Sequence, residues 1–107
     1  MADPKDRRAQ ERFAVNADTS CSFVSPVVEN FGPARLKNIS MEGVGLHVTR
    51  KLDPGTLLVM TISNQAKSFA KTVLVRVAHA TPQDAGYLIG GTFQTPLTYQ
   101  ELTTLVL

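Results

Sequence analysis

Residues 34–48 read ARLKNISMEGVGLHV and have the pattern of two short strands joined by a polar turn. In the second half, Val44, Leu46 and Val48 alternate with other residues, the period-two pattern of a strand with one buried face. Residues 34–37 enter the turn as the first strand. The stretch therefore predicts two paired strands that hold a loop between them, as rigid scaffolds hold binding loops.

The turn itself, residues 38–43, carries groups suited to a nucleotide. The carboxamide of Asn38 presents a donor and an acceptor side by side, and the hydroxyl of Ser40 can donate to an anionic oxygen. Gly43 can adopt backbone angles closed to other residues and lets a ligand approach the main chain. An ordinary β-turn, in which Asn38 and Ser40 bond their own backbone, accounts for the same residues. The turn alone does not decide between these interpretations.

The N-terminal segment places Arg7, Arg8 and Arg12 in an arm with almost no apolar side chains. Arginine grips phosphate in a bidentate fork, stacks on aromatic bases and contacts O6 and N7 of guanine. In a helix, Arg8 and Arg12 would repel each other unless an anion lay between them. A solvated, charged terminus is the alternative interpretation.

Six segments of the chain have the strand pattern, separated by turns rich in Gly, Pro, Asn and Asp. They are residues 19–24, 34–37, 43–48, 57–62, 69–80 and 87–93. Val73, Val75 and Val77 are expected to point inward. Because no helix alternates with these strands, the pattern favours a barrel or sandwich over a parallel sheet.

The C-terminal residues predict a short helix. Thr98 and Glu101 have the spacing of a capping box. The apolar residues of this segment fall on one helical face; they are Tyr99, Leu102, Leu105 and Val106. Such a helix would cover an open end or side of a barrel.

Composition limits the function without identifying it. The chain has 107 residues, enough for one domain, and at 43% hydrophobic and 19% charged it resembles an ordinary soluble globule. A net charge of +2 is too small to argue for binding to a nucleic acid polymer or a membrane surface. The single cysteine, Cys21, is expected in a buried strand position and suits a reducing compartment. Without a secretory signal or membrane span, a cytoplasmic location is expected.

Taken in this order, the arm and the turn resemble the PilZ domain family. Its signature is an Arg-x-x-x-Arg arm followed by (Asp/Asn)-x-Ser-x-x-Gly, and the resemblance covers nearly the whole chain. The matching residues are Arg8 and Arg12, with Arg7 making the doubled-arginine form, and Asn38, Ser40 and Gly43.

The resemblance implies a six-stranded antiparallel β-barrel with a short C-terminal α-helix over residues 14–107, preceded by a flexible N-terminal arm over residues 1–13. It also implies a bacterial receptor for cyclic di-GMP, with no cofactor besides that ligand. The arginines would take guanine faces and phosphates, and the turn a guanine edge and backbone phosphate. The doubled arginine indicates two intercalated ligands. Ligand binding would change the conformation of the receptor, which would signal to an unidentified protein partner.

Three other classes of function were weighed against this resemblance. For an enzyme, His47 and His79 lie on separate predicted strands, neither beside a nucleophile, and no His/Cys cluster has metal-ligand spacing, so neither catalytic nor metal residues are predicted. A single-stranded nucleic-acid binder would interleave basic and aromatic residues, but only 7% of this chain is aromatic. A PilZ-like protein-interaction scaffold that does not bind the nucleotide typically lacks one of the two motifs, whereas this chain keeps both.

Overall fold

A computed structural model of the chain describes residues 12–24 and 34–107. Within these ranges the chain forms seven strands and one C-terminal α-helix, α1, at Tyr99–Val106. The strands are β1 (Phe13–Ala14), β2 (Thr19–Phe23), β3 (Arg35–Ile39), β4 (Gly43–Val48), β5 (Leu57–Asn64), β6 (Phe69–Gln83) and β7 (Gly86–Phe93).

All seven strands belong to one antiparallel sheet in the order β1-β3-β4-β7-β6-β5-β2. The sheet curls into a half-barrel whose two edges are β1 and β2. The predicted all-β antiparallel class is confirmed, with seven strands in place of six. The additional strand, β1, has only two residues, too few for an alternating pattern to reveal it. Most of the predicted arm, residues 1–11, lies outside the described residues.

The inner face of the half-barrel follows the predicted alternation. Val73, Val75 and Val77 of β6 are at most 7% exposed, so their predicted inward orientation is confirmed. The central strand β4 adds Leu46 and β7 adds Ile89, both fully buried. Burial of this aliphatic face is the main term that stabilises the sheet, at roughly 25 cal/mol per Å² of apolar surface.

The predicted capping box of α1 is confirmed. Thr98 Oγ1 accepts the amide hydrogen of Glu101 at 3.1 Å, and the Thr98 amide donates to the Glu101 carboxylate at 2.8 Å. Leu102 enters the core as expected, but Tyr99 is 71% exposed, so its assignment to the apolar face was wrong. The residue before the cap, Leu97, is buried instead, which gives the hydrophobic-staple arrangement of N′ and N4 residues.

The C-terminal end of α1 is joined to the sheet by hydrogen bonds. The Leu105 carbonyl accepts from the Asn16 amide at 3.0 Å and from the Thr19 hydroxyl at 2.8 Å. Fully buried Asn64 of β5 donates to the Thr19 hydroxyl at 3.0 Å. Helix ends leave unpaired carbonyls, and here the sheet supplies partners for them. We call Asn16, Thr19, Asn64 and Leu105 the helix joint.

Two β-bulges change the alternation of the sheet. One lies in β3 between Leu36 and Asn38, and the other lies in β6 between Val77 and His79. Each adds one residue to its strand, and an added residue reverses the face that the following side chains reach. Without the bulges, Asn38 and His79 would lie on the same face as buried Leu36 and Val77. With them, both polar side chains lie on the outer face.

The ion pair that holds α1 to β6 predicts a pH-dependent contribution to stability. Lys71 Nζ lies 2.7 Å from Glu101 Oε2. Hydrogen bonds from Lys71 and then from the Thr98 backbone lower the pKa of Glu101 from its ordinary value. A carboxylate with a lowered folded-state pKa stabilises the protein at neutral pH, and that contribution is lost as pH falls through the folded pKa. Glu101→Gln should therefore lower the melting temperature at pH 7 and lower it less near pH 3, where a larger fraction of Glu101 is protonated.

Thermal unfolding followed by circular dichroism at the two pH values tests this. The effect at pH 7 should be within about 1 kcal/mol, the range of exposed ion pairs. Asp53→Asn is the matched control because Asp53 makes no ion pair within the described residues. An equal loss at both pH values for Glu101→Gln would mean that the charge of Glu101 is not the cause.

Candidate functional site

The turn that contains the second motif is shorter than its sequence suggested. Because β3 ends at Ile39 and β4 begins at Gly43, the turn consists of residues 40–42, and Asn38 lies in a strand. Ser40 is 2% exposed. Its hydroxyl oxygen accepts the amide hydrogens of Glu42 at 3.2 Å and Gly43 at 3.0 Å. The hydroxyl thus stabilises its own turn, as the ordinary-turn interpretation expects for this residue, and its contact with a ligand stays a prediction.

Gly43 allows two close approaches in the strand that leaves the turn. A Cβ at this position would collide with the carbonyl oxygen of Gly91 in β7. It would also lie 3.4 Å from Nη2 of Arg12. Among the described glycines only Gly55 has a positive φ, so Gly43 is not required for unusual backbone angles. It lets β7 and the Arg12 guanidinium pack closely against the main chain.

A hydrogen bond joins the two sequence motifs. Arg12 Nη1 donates to Asn38 Oδ1 at 3.2 Å, across a separation of 26 residues. The adjoining strand β1 explains how, because Phe13 pairs with Ile39 and Ala14 pairs with Asn38. Partial burial lowers the pKa of Arg12 from its ordinary value, but a guanidinium stays protonated in proteins. Arginine 12 is therefore a fixed positive charge beside the Asn38 carboxamide.

Two glycines leave an open patch beside this pair on the outer face. Gly45 of β4 lies directly opposite Gly90 of β7. A Cβ at Gly45 would collide with the carboxamide of Asn38, and one at Gly90 would collide with the imidazole of His79. The two polar side chains thus extend from β3 and β6 over the glycines. We call Gly45 and Gly90 the glycine floor, with Asn38 and His79 as its two sides.

Arg12 lines two small cavities on this face. One, of about 140 Å³, lies over the glycine floor and includes Asn38 and His79. The other, of about 150 Å³, is bounded by Ser40 and Gly43 among others. Each is smaller than the roughly 300–1,000 Å³ of typical small-molecule sites. Neither cavity is large enough by itself for a ligand of nucleotide size.

The charges around Arg12 bear on how an anionic ligand could bind. Arg12 and Glu42 line one cavity together but form no ion pair. Arg12 brings a single positive charge, which is too little to balance a ligand with two or more phosphate charges. Arg7 and Arg8, the other predicted arginines, lie outside the described residues, and their role in the site stays a prediction.

The sequence alone did not identify His79 as a site residue. The sequence raises His79 only as a candidate catalytic residue, and strict alternation from Val77 would place its side chain in the core. The neighbouring pair Gly90-Gly91 was a usable signal, because adjacent glycines inside a strand indicate a close approach of another group. The bulge that brings His79 to the outer face depends on strand register and has no comparable local signal.

A larger cavity, of about 590 Å³, lies between β2 and β3 and contains none of the predicted site residues. Its walls include Cys21 and Ala34, which adjoin the undescribed residues 25–33. Burial raises the pKa of the Cys21 thiol to about 11. The thiolate is the reactive form, so Cys21 is a structural residue at neutral pH, as expected.

Comparison with known proteins identifies one family. A model of the PilZ domain matches residues 6–107. Neither the curated proteins nor the solved structures searched contain a match to the chain. Within residues 12–24 and 34–107, no three His, Cys, Asp or Glu side chains come together as a metal site. No helix in those ranges is long and apolar enough to cross a membrane.

The two glycines of β4 should respond differently to alanine. At Gly43 the added methyl meets the backbone oxygen of Gly91, which cannot move without disturbing the sheet. We expect Gly43→Ala to cost about 1–3 kcal/mol of unfolding free energy, the range for overpacked positions. At Gly45 the methyl meets only the side chain of Asn38, which can rotate away, so Gly45→Ala should cost much less.

Urea unfolding of the two variants and the unaltered protein measures this difference. Each variant adds one methyl group to the same strand, so each controls for the other. Equal losses of stability would show that Asn38 is held as rigidly as the β7 backbone.

Proposed function

This chain belongs to the PilZ domain family, and from that premise we propose that it is a receptor for cyclic di-GMP that signals to a protein partner. PilZ domains are known cyclic di-GMP-binding modules and act as ligand-binding receptors rather than enzymes. The observation that carries the proposal for this chain is the 3.2 Å hydrogen bond between Arg12 and Asn38. This hydrogen bond joins the two sequence motifs beside the glycine floor.

The Arg12–Asn38 pair has unused hydrogen-bonding capacity. A guanidinium has five N–H donors, and Arg12 uses one of them on Asn38 within the described residues. The Asn38 amide nitrogen makes no hydrogen bond to any described residue. These donors can bind the acceptor edge of a guanine and a phosphate oxygen without breaking the contact between the motifs.

The arm would supply the remaining charge. In this proposal Arg7 and Arg8 join Arg12 around the phosphates, because one guanidinium cannot balance two or more phosphate charges. Two intercalated ligands would bring four phosphate charges to one site, and Arg7 would reduce their mutual repulsion. Binding of this kind would order the arm over residues 38–43 and create a composite surface of arm, ligand and sheet. A protein partner in the bacterial cytoplasm would recognise that surface.

Calorimetric titration with cyclic di-GMP tests the proposal. We expect micromolar or tighter affinity, about 8 kcal/mol or more, with a stoichiometry near two if the ligands intercalate. Arg8→Ala and Arg12→Ala should each lose roughly 2–4 kcal/mol, because each leaves a ligand charge or base unpaired. Asn38→Ala should lose about 1–2 kcal/mol, since a neutral hydrogen bond is weaker. Arg50→Ala is the matched control, because Arg50 is exposed and lines neither cavity beside Arg12.

The absence of heat at ligand concentrations near 1 mM would reject the receptor and favour the non-binding interaction scaffold. Normal binding by both arginine variants would mean that the arm is a solvated terminus. A one-to-one titration would reject the intercalated pair and leave the receptor standing.

Limited proteolysis tests the proposed ordering of the arm. Trypsin cleaves after Lys5, Arg7, Arg8 and Arg12, all within or beside the arm. Residues 1–12 contain too few apolar side chains to offset a backbone entropy of roughly 1–2 kcal/mol per ordered residue, so cleavage should be fast in the free protein. Saturating cyclic di-GMP should slow it at least about tenfold, which is about 1.4 kcal/mol of protection.

The rate of cleavage after Lys71 in β6, followed in the same samples, reports global opening and serves as the control. Equal cleavage of the arm with and without bound ligand would show that it does not close over the site.

A further inference from the structure

The two glycines of the floor and the polar residues at its two sides form one row across four strands. The strand registers place Asn38 opposite Gly45, Gly45 opposite Gly90, and Gly90 opposite His79. The two β-bulges of the sheet lie at the two ends of this row, immediately before Asn38 in β3 and His79 in β6. Bulges disrupt the hydrogen-bonded ladder and are over-represented next to active sites, where they redirect a side chain. Here two of them direct two polar side chains onto one patch.

The imidazole of His79 extends over this floor. Its Cε1 and Nε2 atoms lie closest to the position that a Cβ on Gly90 would occupy, so the tip of the ring lies over the glycine. The Asn38 carboxamide lies over Gly45 in the same way, from the opposite side. Opposed Cβ positions in neighbouring strands are about 4.5–5.5 Å apart. The imidazole and the carboxamide therefore lie against the two glycines, close to the backbone of the sheet and within reach of one another's ligand.

The His79 ring packs on Gly90, but its nitrogen atoms have no partner within the described residues. Its side chain is exposed and makes no hydrogen bond to a residue in the described ranges. The other histidine, His47, differs in this respect, because its Nε2 lies 3.0 Å from the carbonyl oxygen of Gln83. His79 therefore keeps both its donor and its acceptor for a ligand.

We propose that His79 is a specificity-determining residue of the cyclic di-GMP site, donating a hydrogen bond from Nε2 to the O6 and N7 edge of a guanine that enters the cavity lined by Arg12, Asn38 and His79. The proposal rests on the proposed function, because it names the base that this part of the site takes. Guanine presents two acceptors on that edge, whereas adenine presents one acceptor and an amino donor. Arg12 lines the same cavity, so the cavity offers the guanine edge two donors, the Arg12 guanidinium and the His79 imidazole.

Guanine fits these two donors better than adenine does, because its edge offers an acceptor to each of them. An adenine amino group facing His79 would clash with the Nε2–H tautomer and would have to shift the imidazole to the Nδ1–H tautomer. Arg12 alone can rotate its guanidinium to avoid such a clash, because its stem is long and flexible. The imidazole ring is shorter and lies against Gly90, so its nitrogen is confined to one side of the floor.

Three variants separate hydrogen bonding from ring packing. His79→Phe keeps a ring but removes the donor, and His79→Gln keeps an N–H donor but removes the ring. His47→Phe is the matched control on the other histidine, which lines neither cavity beside Arg12. Melting temperatures establish that each variant is folded, and exposed His79 should tolerate both changes.

Titrations with cyclic di-GMP and cyclic di-AMP give the result. We expect His79→Phe to weaken cyclic di-GMP binding about tenfold and cyclic di-AMP binding much less, so that selectivity narrows. His79→Gln should stay within about threefold of the unaltered protein for cyclic di-GMP. In long-range ¹H–¹⁵N spectra, the His79 Nε2 signal should shift on ligand addition and show the protonated form in the complex.

Each other outcome contradicts a separate statement. If the unaltered protein binds no cyclic di-GMP, the proposed function fails and this inference fails with it. If the unaltered protein binds and His79→Phe binds equally well, His79 does not determine specificity, while the receptor stands. If His79→Phe binds well and His79→Gln does not, the ring packs on the base, and the assigned hydrogen bond is wrong.

Discussion

Side chains of a pleated strand alternate between two faces, and the outer face of this half-barrel depends on two interruptions of that alternation. After the bulge in β3, Ile39 returns to the core, and after the bulge in β6, Ala80 packs against it. The inner face therefore stays apolar on both sides of each bulge. After each bulge the order of faces is reversed, so Asn38 and His79 turn outward while Ile39 and Ala80 turn inward. A slip of one residue in either strand would exchange its inward and outward side chains, so one register fixes both the core and the site.

The short strand β1 connects this site to the far end of the molecule. Arg12 contacts Asn38, Ala14 pairs with the same residue, and the Asn16 amide then donates to the Leu105 carbonyl. The Thr19 hydroxyl donates to that carbonyl as well. A few residues of chain thus join the arm to the helix joint. Hydrogen bonds thus run from Arg12 to the C-terminal end of α1 along one short stretch of backbone.

Features fixed by local chemistry could be predicted from the sequence. The inward valines of β6 and the capping box at Thr98 depend on periodicity and spacing within a few residues. The two bulges could not be predicted in this way, because they depend on which residue of a partner strand lies opposite. The motifs, which are local, predicted Asn38 and Arg12 as site residues, whereas the position of His79 beside them follows only from the strand register. The self-bonded hydroxyl of Ser40 was one of two interpretations that the sequence left open.

Four of the five glycines in β4 and β7 show where the fold itself requires close packing. Glycine inside a strand costs roughly 0.5–1 kcal/mol relative to alanine, so each needs a reason. At Gly43 and Gly91 a Cβ would collide with the β7 backbone and with a core valine respectively, so packing accounts for both. At Gly45 and Gly90 it would meet only side chains on the outer face, which could rotate into solvent. The Asn38 carboxamide and the His79 imidazole therefore account for those two glycines, which let both polar groups lie close to the sheet on its outer face.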